Sequence, residues 1–164
     1  MTKVEAAYQA LMARLTTAAE DSANPLPEPK RNEPLVNAFT SFEGGGNQVD
    51  GGVFLNVFDQ DGDPLGIESG ASDEDEHADH EFYQNAQIEW IVEHNKNDER
   101  EALFDAGMEA IAAALQADRF LGGAVDDLEI QMPRRANLAL SGAPKIKAVI
   151  IPLRMLLTAK SYIG

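Results

Sequence analysis

Two runs decide how this chain folds: DEREALFDAGMEAIAAALQA, residues 98–117, and IKAVIIPLRMLLT, residues 146–158. In the first, Phe104, Met108, Ile111 and Leu115 recur at intervals of four, three and four, the spacing of one helical face. Ala102, Ala106, Ala110, Ala112, Ala113 and Ala114 favour helix and keep its face thin enough to lie close to a sheet. Asn97 is placed to cap the helix, and Asp98 with Glu101 has capping-box spacing at the positive end of the dipole. Gly122-Gly123 ends the helical region, and a helix over 98–117 spans about 30 Å. The second run is apolar on both alternations, which predicts a strand buried on both faces, with Pro152 marking a bulge or an edge. Ile111 and Leu115 are expected to pack against Val149 and Ile151.

Outward from this core, Val4, Tyr8, Leu11 and Leu15 repeat the same spacing and predict a first helix over 3–20. The prolines of Asn24-Pro25-Leu26-Pro27-Glu28-Pro29 then impose an extended connector, 20–34. Leu35–Phe42 and Val53–Phe58 read as strands, separated by the glycine run Gly44–Asn47. Asp61-Gly62 reads as a turn between strands, within a loop from Asp59 to Gly66. Residues 69–81 form a strongly acidic loop. Phe82 to Glu93 alternates between apolar and polar, as a strand with one wet face does. Val125–Met132 is a weaker strand, and Pro133–Pro144 reads as a long loop or arm suited to contacts. The expectation is α/β of the α+β kind: one domain over 1–164, a mixed β-sheet with two main α-helices packed on one face.

At 164 residues the chain is long enough for its own core, and it contains no cysteine, which removes thiol chemistry and disulfides. It carries 28 acidic against 13 basic residues, a net charge of −15, so it should not hold nucleic acid electrostatically. It could line a passage through which DNA slides. No run of eighteen apolar residues and no signal-peptide pattern occurs, so no membrane partner is expected and synthesis in the cytoplasm is. Asp59-x-Asp61-x-Asp63 opens like a calcium loop, but Pro64 takes the position that needs glycine and Gly70 the position that needs glutamate. His77 and His80 lie among acids without an apolar anchor. Gly44-Gly45-Gly46 lacks the lysine of a phosphate loop, and no nucleophile elbow occurs. No catalytic constellation, metal site or cofactor site is expected. Arg134-Arg135 is suited to carboxylates of a neighbouring chain.

The second half resembles the tail terminator proteins of long-tailed (siphovirus-type) bacteriophages. The residues that carry the resemblance are Ala117-Asp118-Arg119-Phe120-Leu121-Gly122-Gly123, then Val125-Asp126-Asp127, then Pro152-Leu153-Arg154 within the last apolar run. About 60 residues match well and the rest by layout. The resemblance implies a structural protein of the virion's tail neck, made in the host cytoplasm and not an enzyme. Such proteins form a hexameric ring that caps the tail tube, stops its polymerisation and joins it to the head completion or connector protein. DNA would pass through the lumen without specific binding. Contacts with a second subunit, the tail tube protein or the connector would fall on loops and termini. The candidates are Asp59, Asp61 and Asp63; Arg134, Arg135, Leu138 and Leu140 of the arm; and Lys160 and Tyr162 at the end. Another head–tail joining or tail-completion protein, or a small acidic calcium-binding module or enzyme, remain the alternative readings.

Overall fold

The computed structural model describes residues 1–33, 52–67, 79–138 and 146–162. Thr2 starts the first helix, α1 (Lys3–Glu20): its hydroxyl accepts the Glu5 N–H at 3.1 Å, satisfying a donor that every helix start leaves open. There follow β1 (Lys30–Arg31), β2 (Val53–Ile67), β3 (His80–Glu93), α2 (Asn97–Gln116), a 3-10 turn at Leu121–Gly123, β4 (Asp127–Ile130), β5 (Arg134–Leu138) and β6 (Ile146–Ala159). The sheet order is β1-β2-β3-β6-β4, with β5 also on β6; β1 is parallel to β2 and every other pair is antiparallel. This is the expected mixed sheet with both helices on one face, a single α+β domain. Leu35–Phe42, Gly44–Asn47, Leu140 and residues 69–78 of the acidic loop lie outside the described residues; His80 and Glu81 already belong to β3.

The core lies between the helices and one alternation of each strand. Tyr8, Leu11 and Leu15 of α1 and Phe104, Ile111 and Leu115 of α2 share it with Leu55, Val57, Ile88, Trp90, Val149, Ile151 and Leu153. Each fully buried large side chain contributes about 1.5–3 kcal/mol. The close seat of α2 depends on Gly107, where an added Cβ would stand 2.3 Å from the Trp90 ring. With the ring seated there, the Trp90 indole N–H donates to the Phe104 carbonyl at 3.1 Å.

Four local expectations need correction. β6 is buried on one face only, because the helices cover one side; Ile146, Ala148, Ile150, Pro152 and Leu156 on the other side are half-buried. Asn97 is the first residue of α2 and not its cap, which is Lys96 without a side-chain cap bond. Glu101 does not reach back to close a capping box, since it pairs with the Lys147 ammonium, a nearly buried charge that needs a counter-ion. The helix ends at Gln116, before the glycines. Asp118 then organises the turn that follows: its carboxylate accepts the N–H of Phe120 at 2.9 Å and of Gly122 at 2.6 Å, and holds Arg14 of α1 at 3.0 Å. Gly122 takes φ 70°, a region that glycine enters without strain.

The third correction concerns Asp59–Gly66, which is not a loop. β2 runs through it, and Gln60-Asp61 forms an irregularity between the pairs Asp59↔Ala86 and Gly62↔Gln84. Tyr8 of α1 pins that irregularity: its hydroxyl oxygen accepts the Gln60 N–H at 3.1 Å, while the Asn85 amide donates to the Asp61 carbonyl at 2.7 Å. These side-chain bonds hold the backbone in the sheet where Asp61-Gly62 by itself favours a turn. The fourth concerns the arm, whose first part is the strand β5. β4 and β5 lie end to end along β6, with a register shift of one residue opposite Pro152. Pro152 has no N–H to offer that edge, and its carbonyl accepts Gln131 N–H at 2.9 Å, so the ladder breaks there, as the proline implied.

Candidate interaction surface

The register assigns each paired strand residue to one of two faces, because directly opposed residues in an antiparallel pair point the same way. Opposite the helices lie Asp63 of β2, Tyr83, Asn85 and Gln87 of β3, Arg154 and Leu156 of β6, Asp127 and Glu129 of β4 and Arg134 of β5. The Tyr83 hydroxyl donates to Glu129 at 2.9 Å, which holds its pKa up, and the Arg154 guanidinium lies 3.7 Å from the Tyr83 ring centroid. Asn85 also donates to the Asp63 carboxylate at 2.8 Å. Between them is an open recess of about 350 Å³ with Asp61 and Asp63 on one rim, Arg134 and Arg154 on the other, and Gln87 and Gln131 among its walls.

Near the β2–β3 end the same face is closed over Phe54, Asn56 and Ile91, all buried. There the Asn56 side chain holds the backbone of Glu33, donating to its carbonyl at 2.8 Å. Burial raises the pKa of Glu89 and of Glu93, and one oxygen of each carboxylate is buried without a hydrogen-bond partner among the described residues. Both residues sit on this face, opposite Ile150 and Ile146.

The structure brings some of the expected contact residues together and sends others elsewhere. Asp61, Asp63 and Arg134 meet around the recess. Asp59 faces the helix side, where Arg31 grips it at 2.7 Å and Glu5 at 2.8 Å, and stacks 4.7 Å from the Tyr8 ring centroid. That double contact drops the Glu5 pKa to about 2. Asp59 thus ties α1 to β2. Arg135 is exposed, on the helix-side alternation of β5 opposite Val149, so the arginine pair is split between the faces. Leu138 ends β5 opposite Ile146. Lys160 pairs with Asp79 at 2.6 Å, and the Tyr162 ring packs 4.7 Å from His80 and 5.7 Å from Phe82, which fastens the chain end to the start of β3.

Sequence reasoning missed Arg154, Tyr83, Asn85 and Gln87; the polar alternation of 85, 87 and 89 was the signal that could have flagged the last two. It also missed an apolar cleft of about 430 Å³ between α2 and the β4–β5 corner, lined by Met108, Ile111, Leu115, Ile130 and Met132. Met132 is 85 % exposed. Among the described residues no group of three His, Asp or Glu side chains gathers to hold a metal ion, and no helix is long and apolar enough to cross a membrane. The arrangement offers recognition chemistry: guanidinium forks, carboxylates and amides in one recess, with an apolar cleft on the other side of the same sheet edge. Compared with known proteins, the chain matches no family model and no curated protein.

Proposed function

We propose that this protein is a structural assembly protein of a phage tail neck. It forms a ring that caps the tail tube, stops its polymerisation and joins it to the head connector. The observation that carries the reading is the pair of strings Ala117–Gly123 with Val125–Asp127, and Pro152–Arg154. They are distant in sequence and adjacent in the fold: Asp127 lies opposite Leu156, Glu129 opposite Arg154 and Ile130 opposite Leu153, and Asp126 N–H donates to the Leu156 carbonyl at 2.8 Å. The motif is therefore a structural device, the Asp118-capped turn that delivers β4 to β6. Its role in the reading is geometric and needs no catalysis.

The layout supports the same reading. One face of the sheet is spent on the core, while the other face and the β4–β5 edge are available for partners, giving the two-sided body that a terminating ring requires. The net charge of −15 suits a lumen that DNA must traverse without sticking. The test is an image of the purified protein mixed with tail tubes. Six-fold rings seated on one end of each tube are expected. Protein that stays off the tubes, or that decorates them along their length, would exclude the reading.

A further inference from the structure

The sheet has two edges with complementary side chains. On one, the distal half of β2 has no strand partner other than β3 among the described residues, and it carries Asp61, Asp63 and Leu65 at every second position, all exposed, Leu65 at 51 %. On the other, the outer edge of β4–β5 is unpaired among the described residues. Read backwards it presents Arg134 on the helix-free face and, past the one-residue register shift, Met132 and Ile130 at the rim of the apolar cleft, again all exposed. Arg134 and Arg135 make no ion pair with a described residue in a chain of net charge −15. An edge that is long, unpaired and partly apolar is a template for another strand unless something covers it.

We propose that the β4–β5 edge of one copy pairs with the distal β2 edge of the next copy, head to tail, so that the sheet continues from subunit to subunit. This deepens the ring reading and rests on its self-association. The strand directions fit: β2 runs antiparallel to β4–β5 within one sheet, and head-to-tail repetition preserves that relation across the junction. Antiparallel alignment then sets Asp63 against Arg134, and Leu65 against Met132 at the rim of the apolar cleft. The opposite alignment would set acids against apolar residues. Asp63 and Arg134 already share the helix-free face, so they would also share it across the junction. Within one copy β3 and β6 intervene between them, about 14 Å at ordinary strand spacing, and no ion pair forms. Across the junction they would be neighbours about 4.8 Å apart in backbone spacing. The occupant is a second copy because both complementary edges belong to this chain, and a head-to-tail contact uses each once and closes into a ring.

The test mixes two variants of the full chain. Arg134→Glu with Arg135→Glu makes both edges acidic, and Asp61→Lys with Asp63→Lys makes both basic. Each variant alone should self-associate about tenfold or more weakly than wild type in sedimentation velocity, with an unchanged melting temperature confirming the fold. Mixed in equal amounts, every junction of an alternating ring again joins acid to base, and assembly should return. Met132→Glu offers an independent check at the apolar end and should also weaken association. Wild-type rings with neither variant impaired, or impaired variants that do not rescue each other, would overturn the edge contact and leave the ring reading standing. A wild type that stays monomeric at every concentration, and also with tail tubes present, would overturn both.

Discussion

On the helix side of the sheet, Ile88, Trp90, Val149 and Ile151 are almost wholly buried, while Tyr83, Asn85, Gln87, Arg154 and Glu129 on the opposite side are half-exposed, with Tyr83 bonded to Glu129 and stacked by Arg154, and Asn85 bonded to Asp63. The strands are the same and their backbone ladders serve both faces. What differs, among the described residues, is the cover: two amphipathic helices on one side, and on the other a local closure over Phe54, Asn56 and Ile91. Stability therefore resides on one face, and the capacity for recognition resides on the other face and at the edges. Substitutions on the two sides should separate these properties.

The largest effect is expected from cavities. Ile111→Ala should cost about 2–5 kcal/mol of stability in urea unfolding, because the buried side chain leaves a void between α2 and β6. Ile150→Ala, the same change on the half-buried alternation of β6, should cost well under half as much. Equal costs would break the comparison, since they would mean that both faces are packed alike. Next comes Gly107→Ala. It pushes a methyl group into the Trp90 ring and should cost about 1–3 kcal/mol, with a change in Trp90 fluorescence as the indole shifts.

The smallest effects come from two carboxylates of opposite behaviour. Glu5, held by Arg31, has its folded pKa lowered to about 2, so its contribution is present above the unfolded value near 4.5 and is lost as pH falls toward 2. Glu89 has its pKa raised by burial, so its contribution is complete below the unfolded value and is lost as pH rises through the folded one. Replacing Glu5 by Gln should flatten the acid limb of the stability–pH curve. Replacing Glu89 by Gln should raise stability at neutral pH and leave it nearly unchanged at pH 3. Parallel curves for the two variants would contradict the assignment of one carboxylate to an exposed ion pair and the other to a buried, desolvated position.

The helices and the side of the sheet they cover were legible because helical periodicity states directly which residues share a face. Val4, Tyr8, Leu11 and Leu15 lie on one stripe of α1 and Phe104, Ile111 and Leu115 on one stripe of α2, and the core uses those stripes, with Val4 packed at its margin. The one-sidedness of β6 was not legible, because Ile146, Ala148 and Ile150 are as apolar as their buried neighbours and only the position of the helices, which tertiary structure decides, distinguishes them. Asp61-Gly62 misled because local preference favours a turn, whereas Tyr8 and Asn85, far away in sequence, hold the segment in the sheet. The strand β5 was hidden between Pro133 and Pro144, since its ladder to β6 exists only once the chain has folded back. The recess depends on register in the same way. Nothing local to Asp63 or Arg134 shows that two strands separate them and that both face away from the helices.

We propose above all that this protein ends the growth of a tail tube. The direct measurement is the length of tubes polymerised from purified tube protein with and without this protein, read by electron microscopy over time. Tubes carrying a ring at one end should stop lengthening when it arrives, while uncapped tubes in the same field continue. Tubes that keep growing at the same rate and from the same end with the protein present would contradict it.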